Sequence, residues 1–508
     1  MRQVLKFSLV LLIAFVLVKA QKEPHFVDNR TTIVHLFEWT WSDIAKECED
    51  FLGPQGYGGV QISPPNEVSD IEGGPWWARY QPVSYILISR SGDDTDLADM
   101  IKRCNNVGVR IYVDIVVNHM TGYREGETYG TAGSSANYLE SSYPAVPYDK
   151  EHFHAPCDIQ DYQNAEQVRN CQLVTLIDLD QSVPHVREMI VNYLNKLIDM
   201  GVAGFRMDAA KHMWPEDLEA IYGDLNDLNE EFGFGANSRP YIYQEVIDLG
   251  GEAVKKTEYN HMGAVTEFKF SNEIGRLFRN KNSLKYLRNW GPEWSMLPSE
   301  DAIVFVDNHD NQRGHGAGGA DILTYKEPEL YKLAVTFMLA HPYGKVTRIM
   351  SSYDFTDTDQ GPPITEDGEI RAPEYLENQL CDTGKVGWVC EHRWPEIHQM
   401  VKFRNVVGKE PLENWWENGE NQIAFSRGNL GFVAFNLEAD MELKALIQTG
   451  LPRGSYCDIL SGAKQNNRCT GLMVDVNEQG LAVIDLPQGH QALAIYIDSK
   501  LDWEANYF

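Results

Sequence analysis

Positive charge is scarce in this sequence. Its 44 Lys and Arg residues face 74 Asp and Glu residues, which gives a formal net charge of -30 at pH 7. Nucleic acids and anionic membranes are bound through basic surfaces, so we expect this chain to bind neither. The acidity instead predicts a soluble protein with a self-repelling surface.

Long apolar segments are also rare. The one extended run, Phe7 to Val18, follows Arg2 and Lys6 and precedes the small residue Ala20. This arrangement predicts a secretory signal peptide over residues 1–20. No other segment approaches the roughly 20 apolar residues that a membrane-spanning helix needs. We therefore expect a mature chain that is secreted, extracellular, free of the membrane and monomeric.

The eight cysteines include no CxxC pair, a spacing typical of zinc sites. In an oxidising compartment they predict four disulfides, for which 105 connectivities are possible. Proximity in sequence suggests three pairs and leaves a fourth: Cys157 with Cys171, Cys381 with Cys390, Cys457 with Cys469, and Cys48 with Cys104. Asn29-Arg30-Thr31 is a glycosylation sequon, as expected of a secreted chain.

Short apolar segments alternate with helix-like stretches between residues 32 and 350. The helical patterns lie near 41–52, 95–106, 184–200 and 215–228. Such alternation is typical of a parallel sheet, and eight strands predict a closed (β/α)8 TIM barrel. The predicted strands are 32–37, 58–62, 109–117, 202–205, 241–245, 263–266, 302–307 and 346–350.

Two segments do not fit the barrel pattern. Residues 119–181, after the third strand, are rich in Gly, Ser, Tyr, Pro and Asn and are too long for a plain loop. They predict a small inserted domain, stapled by a disulfide and a metal. Residues 408–508 contain short apolar segments separated by turn residues, which predicts a C-terminal antiparallel β-sandwich domain. The barrel is then expected to comprise residues 21–118 and 182–407.

Three acidic residues lie at the ends of predicted barrel strands: Asp208 after the fourth, Glu245 at the end of the fifth and Asp310 after the seventh. An acid after a strand is by default a helix cap. The carboxyl ends of barrel strands, however, meet at one rim, where the active sites of this fold lie. Three acids that converge there with several histidines predict a catalytic site. The histidines are His119, His212 and His309.

Four segments carry a more specific resemblance. The segments Val113 to His119, Gly204 to His212, Glu245 to Asp248, and Phe305 to Asp310 resemble the four motif regions of α-amylases. The resemblance extends over nearly all of the mature chain and is strongest to secreted animal, particularly insect, α-amylases of glycoside hydrolase family 13. It implies internal hydrolysis of α-1,4-glucosidic bonds in starch, glycogen and maltooligosaccharides, with retention of configuration.

Retaining hydrolysis needs one ionised carboxylate to attack the anomeric carbon and one carboxyl to protonate the leaving oxygen, about 5 Å apart. The resemblance implies that Asp208 is the nucleophile and that Glu245 is the acid and then the base. Asp310 would stabilise the transition state and hold the distorted sugar. The three histidines would hydrogen-bond sugar hydroxyls, with packing as their alternative role.

Arg206 lies two residues before Asp208, so both side chains should point to the same side of the strand. Its charge should help to keep Asp208 ionised but should oppose protonation of Glu245. The resemblance implies a bound chloride that offsets this effect, with ligands Arg206, Asn308 and Arg348. The segment 342–348 is one residue longer than the animal pattern, a departure that bears on the position of Arg348.

The resemblance also implies one calcium ion. The side chains of Asn118 and Asp178 and the backbone carbonyls of Arg169 and His212 would bind it together with waters. His212 lies on the barrel and the other ligands lie in or beside the inserted segment, so the ion would join the two. The cysteines of an additional disulfide in the animal pattern are missing, so we expect the inserted segment to depend strongly on its metal.

The loop after the second strand and a glycine-rich loop at 314–319 are expected to line a substrate cleft. Paired exposed tryptophans would stack on glucose rings, although most tryptophans fill cores. The glycine-rich loop resembles a mobile lid, and no GK[ST] follows that would make it a phosphate loop. The expected substrate contacts are Trp76, Trp77, Tyr80, Gln81, His119, Lys211, His212, Glu252, His309 and His315.

Two other functions compete with an endo-acting α-amylase. A glucosidase or transglycosidase for short sugars has the same fold, but the glycine-rich loop and the paired tryptophans favour polymeric substrates. A catalytically inactive carbohydrate-binding or interaction protein is the other alternative. The presence of Asp208, Glu245 and Asp310 argues against it.

Overall fold

Eight parallel strands close into a barrel, as the sequence predicts. The computed structural model describes residues 21–487 and 489–502, so the predicted signal peptide lies outside the described residues. Each strand pairs with the next along the chain, and the eighth closes on the first. In chain order they are β1 (Thr32–Leu36), β2 (Gly59–Ile62), β3 (Arg110–Ile115), β4 (Gly204–Met207), β5 (Tyr241–Gln244), β6 (Ala264–Thr266), β7 (Ala302–Phe305) and β8 (Val346–Ser351).

The fourth strand begins later than the sequence pattern suggests. The Val202 amide still donates to the carbonyl of Leu197 in the preceding helix, and ladder pairing with β3 starts only at Gly204. Glycine is needed at this point because a Cβ on Gly204 would lie 2.0 Å from the Tyr241 carbonyl oxygen of β5. The two strands can therefore approach closely just before Arg206 and Asp208.

Helices surround the barrel, and several start at a proline in their first turn, where the missing N–H costs nothing. The helix expected over 215–228 ends at Asp224 because Leu225 takes an extended conformation. The first helix ends in a π-helical turn at Cys48–Leu52. The longer helices are Trp41–Glu47, Asp94–Asn106, Pro184–Asp199, Pro215–Asp224, Phe268–Phe278, Pro328–Ala340 and Pro395–Val407.

The inserted segment leaves the barrel after β3 and returns to it before Pro184. Its first strand, His119–Gly122, pairs antiparallel with its last, Leu176–Asp178, so the two ends of the segment lie side by side. Glu127–Tyr129 and Ser135–Asn137 form a second antiparallel pair, and Ala165–Asn170 forms a short helix.

The C-terminal region forms two packed β layers, which confirms the predicted antiparallel β domain. One layer is a four-stranded sheet, and buried residues on one of its faces pack against two further antiparallel pairs. The opposite face packs on the barrel, where Phe425 and Phe435 lie 6.1 and 6.0 Å from the ring of Phe337. The sheet comprises Leu412–Glu417, Gln422–Arg427, Gly431–Asn436 and Ala492–Tyr496; the pairs are Leu443–Gln448 with Leu481–Leu486 and Gly454–Cys457 with Met473–Val476.

The four predicted disulfides are confirmed. Cys48 bonds Cys104, Cys157 bonds Cys171, Cys381 bonds Cys390, and Cys457 bonds Cys469. Within residues 21–487 and 489–502, no helix is both long and apolar enough to cross a membrane.

Candidate active site

A cavity of about 490 Å³ opens where the barrel strands end, beside the inserted segment. Its volume is in the range of sites that bind small molecules. Asp208, Glu245 and Asp310 all line it. These acids follow β4, β5 and β7, so residues far apart in the sequence meet at one rim of the barrel.

Arg206 is the centre of the carboxylate cluster and is only 1% exposed. Its Nη1 donates to Asp208 Oδ1 over 2.9 Å and to Asp114 Oδ1 over 2.5 Å, and its Nη2 donates to Glu245 Oε1 over 2.5 Å. Asp114 was not predicted as a site residue. It lies opposite Arg206 in the β3–β4 ladder, and its second oxygen accepts a hydrogen bond of 2.9 Å from the Tyr80 hydroxyl.

Negative charge exceeds positive charge in this buried cluster. Burial raises the pKa of Asp208 well above its usual range; Arg206 opposes this, and the charges of Glu245 and Asp114 add to it. Burial also raises the pKa of Asp310 to about 7, again with a contribution from Glu245. The charge of Arg206 was expected to help keep Asp208 ionised, but burial and the neighbouring carboxylates outweigh it and raise the pKa. Carboxyl groups this close oppose one another's ionisation.

Aromatic rings form one wall of the cavity. The His309 ring stacks on Tyr80 at 5.1 Å, and its Nε2 lies 3.2 Å from Asp310 Oδ2. Trp76 is only 5% exposed and donates its ring N–H to the Thr358 carbonyl, so it packs rather than presenting an open face. Of the two tryptophans expected to be exposed, only Trp77 is partly so.

Two of the predicted histidines are neutral in this setting. Burial lowers the pKa of both His119 and His212 to about 4. One ring nitrogen of each is fixed by a backbone carbonyl, that of Tyr80 for His119 and that of Val168 for His212. The second ring nitrogen of His119 accepts from the Asn118 side-chain amide over 3.1 Å, whereas the second nitrogen of His212 is suited to hydrogen-bond a sugar hydroxyl.

All of the predicted substrate contacts line the cavity except Gln81. The Gln81 side chain instead accepts a hydrogen bond from the Gly122 amide and ties the β2 loop to the inserted segment. Lys211 donates to the Ile247 carbonyl and forms an ion pair with Glu252. Several lining residues were missed, because apolar residues on irregular segments or on a three-residue strand follow no period that a sequence reveals. They are Tyr162, Leu173, Val174, Leu176 and Ile247.

The predicted calcium ligands lie at the junction of the inserted segment and the barrel. Asn118 Oδ1 and Asp178 Oδ1 are buried and have no hydrogen-bond partner among the residues that the structure describes. Buried oxygens without a donor are costly, and they are the ligand type that Ca²⁺ prefers, so the residues fit this ion. No three His, Cys, Asp or Glu side chains in the described ranges are grouped to hold a metal. The predicted calcium ligands would not form such a group, because only one of them, Asp178, is a carboxylate.

Arg348 lies within β8, opposite Phe305 of β7, so the longer segment before it does not displace it from the barrel. It is 2% exposed; its Nη1 donates to Gln61 Oε1, and it pairs with none of the described carboxylates. Burial lowers the pKa of Arg348, and the charge of Arg206 contributes to this. A buried guanidinium without a carboxylate partner fits an anion.

Both the barrel and the C-terminal region match known families. A family described as "Alpha amylase, catalytic domain" matches residues 78–345, and one described as "Alpha amylase, C-terminal all-beta domain" matches residues 414–497. The chain belongs to the alpha-amylase family. An alpha-amylase of Tenebrio molitor is 54% identical over 483 residues, which cover 95% of this chain and 100% of the relative. One of Tribolium castaneum is 55% identical over 482 residues, covering 94% and 96%.

A solved structure of the alpha-amylase family agrees with this result. The X-ray structure of a mutant alpha-amylase I of Eisenia fetida in complex with maltohexaose has a TM-score of 0.89 and 46% identity. The match covers 94% of this chain and 99% of that one. The family, the fold and the enzyme class predicted from the sequence, hydrolysis of α-1,4-glucosidic bonds, are confirmed.

Proposed function

We propose that this chain is an endo-acting, retaining enzyme that cuts internal α-1,4-glucosidic bonds of starch, glycogen and maltooligosaccharides. The observation that carries the proposal is the buried Arg206 guanidinium, which bonds at once to Asp208 and Glu245, two residues that line the cavity. Neighbouring nitrogens of one planar guanidinium hold the two carboxyl groups close together, which favours the spacing of about 5 Å of a retaining pair.

Asp208 is the nucleophile in this mechanism. Arg206 holds it through Oδ1, which leaves Oδ2 to attack the anomeric carbon and form a covalent glycosyl intermediate. Glu245 protonates the departing oxygen and then removes a proton from the water that releases the intermediate. Both Glu245 oxygens accept hydrogen bonds, one from Arg206 and one from the Ala209 amide. One of these hydrogen bonds must therefore break before Glu245 can bond to the glycosidic oxygen.

Asp310 and the neutral histidines act on the sugar itself. Asp310 stabilises the positive charge that develops on the ring in the transition state. His212 and His309 hydrogen-bond its hydroxyls, and His119 does so in exchange for one of its bonds to Asn118 and Tyr80. Trp77 offers a partly exposed ring at the cavity wall. Lys211 and Glu252 contact the substrate on the opposite side of the cleft.

The proposal includes one calcium ion and one chloride ion. Asn118, Asp178 and the carbonyls of Arg169 and His212 would hold calcium, which supplies the positive charge that the two buried oxygens lack and joins the inserted segment to the barrel. Arg206, Asn308 and Arg348 would hold chloride, which supplies negative charge beside the two guanidinium groups and so favours a protonated Glu245.

We also propose that the enzyme is a secreted monomer. Four disulfides support an oxidising compartment, and the negative surface supports self-repulsion. Determination of the N-terminal residue of the mature protein and light scattering of the purified chain test the two parts separately.

Product analysis on soluble starch, with and without chloride and calcium, tests the proposed function. The wild type should release a mixture of maltooligosaccharides, and Glu245→Gln should lower the rate by about 10²- to 10⁴-fold. Release of glucose alone from chain ends would indicate a glucosidase instead. A wild type no more active than Asp208→Asn would indicate an inactive binding protein.

A further inference from the structure

Large apolar side chains stay exposed along one part of the inserted segment, next to the cavity. Tyr123 is 53% exposed and Val174 77%. Contiguous exposed apolar residues of this kind mark binding surfaces. Val174 also lines the cavity, so this surface begins where the cavity ends.

Backbone pairing joins Tyr123 to the cavity wall. Its amide donates to the Thr175 carbonyl over 3.0 Å, and Thr175 lies between Val174 and Leu176, which both line the cavity. Tyr123 also directly follows the strand that starts at His119, another lining residue. At about 3.3 Å per residue, Tyr123 lies about 13 Å along the chain from His119, and it is not itself among the residues that line the cavity.

A second tyrosine supports the first. The rings of Tyr123 and Tyr138 meet edge to face at 5.4 Å, and the Tyr138 hydroxyl donates to Gln172 Oε1 over 3.1 Å. Gln172 directly precedes the cavity-lining residue Leu173. Tyr123 is therefore held in place although more than half of it faces solvent.

The backbone at Val174 is also special. Its φ of 59° lies in the left-handed region, which is a strained conformation for a β-branched residue. Strain of this kind persists only where the surrounding structure imposes it, and it is concentrated at binding sites. Here it accompanies an apolar side chain exposed between the cavity and Tyr123.

We propose that Tyr123, supported by Tyr138, binds an additional glucose unit of a long α-glucan that leaves the cavity past Val174. An aromatic ring offers a flat apolar face to the C–H face of a pyranose while its hydroxyl stays in water. The occupant is the substrate chain because the surface is continuous with the cavity through residues 172–176. This inference rests on the proposed function and adds a preference for substrates longer than the cavity.

Substrate-length kinetics test the proposal. Tyr123→Ala should lower kcat/KM about 3- to 10-fold for maltoheptaose and leave it unchanged for maltotetraose, since aromatic stacking contributes about 0.5–1.5 kcal/mol. Tyr123→Phe retains the ring and should behave as the wild type. Tyr129→Ala is the matched control, because Tyr129 is 57% exposed on the same segment but bonds only to Glu127 through its hydroxyl.

Direct binding provides a second readout. In a Glu245→Gln background, calorimetric titration should show that Tyr123→Ala weakens binding of maltoheptaose 3- to 10-fold and does not change binding of maltotriose. Equal losses for both lengths, an equal loss in Tyr129→Ala, or no loss would overturn the proposal. If the wild type does not cut starch, the proposed function fails; if it does and Tyr123→Ala shows no length dependence, only the additional position fails.

Discussion

Replacing Glu47 by Gln should destabilise the protein in a way that depends on pH. Glu47 lies at the end of the first helix and is 1% exposed. Its Oε1 accepts hydrogen bonds from His392 and from Nε of Arg393, and its Oε2 accepts from Nη2 of Arg393 and from the Tyr375 hydroxyl. The helix is thereby joined to the segment that follows the Cys381–Cys390 disulfide.

The size of the effect follows from the pKa of Glu47. Burial alone would raise it, but the hydrogen bonds and charges of His392 and Arg393 lower it from 4.5 to about 2. This difference corresponds to about 3 kcal/mol, a value similar to the 3–5 kcal/mol typical of breaking a buried ion pair. Unfolding entropy of about 2 cal/mol/K per residue converts the loss to about 3 °C in Tm for a chain of this length.

The pH dependence gives the sharper test. Because the folded pKa is the lower one, the stabilisation is complete above the unfolded pKa and is lost as pH falls towards the folded pKa. Calorimetry should therefore show a Tm difference between wild type and Glu47→Gln that is largest at pH 7 and less than half as large at pH 3. Glu49→Gln, which removes an exposed partner of Arg103, is the control and should change Tm little. A difference equal at both pH values would refute the reasoning.

Three further perturbations address the site. Asp114→Asn removes a charge that raises the pKa of Asp208 and Asp310, so the acidic limb of the kcat/KM profile should move to lower pH; an unmoved limb would contradict the coupling. Removal of chloride should lower activity reversibly, and Arg348→Gln should abolish that response; a variant that still responds like the wild type would remove Arg348 from the proposed site. Chelation of calcium should lower Tm by about 3 °C relative to calcium at 100 times its Kd, and Asn118→Ala should be insensitive to calcium, as thermal scans would show.

The barrel could be predicted from sequence because its strands are short, buried and rich in β-branched residues. The runs at 109–117 and 302–307 carry this pattern, and β3 and β7 lie within them. Strand ends are set by tertiary contacts that a pattern does not contain. Val202 is as apolar as a strand residue, yet its amide remains bonded to the preceding helix.

The sequence predicted those site residues that lie in the segments resembling the α-amylase motif regions. Asp208, Glu245 and Asp310 do, and they meet as expected at the rim. The part played by Asp114 depends on the β3–β4 register, which brings it opposite Arg206. Tyr123 and Val174 lie in a segment without periodicity, so only the folded chain shows that they extend the cavity wall.

The four-stranded C-terminal sheet is covered on both faces, and this limits how the enzyme can be shortened. Phe278, Phe337 and Phe435 are almost completely buried, and they contact one another across the boundary between the sheet and the barrel helices. A chain cut after residue 407 would lose Phe435 and expose the rings of Phe278 and Phe337 at a cost of about 1.5–3 kcal/mol each. The barrel-facing side of the C-terminal sheet therefore completes the packing of the barrel helices, and a minimal catalytic fragment for engineering has to include that sheet.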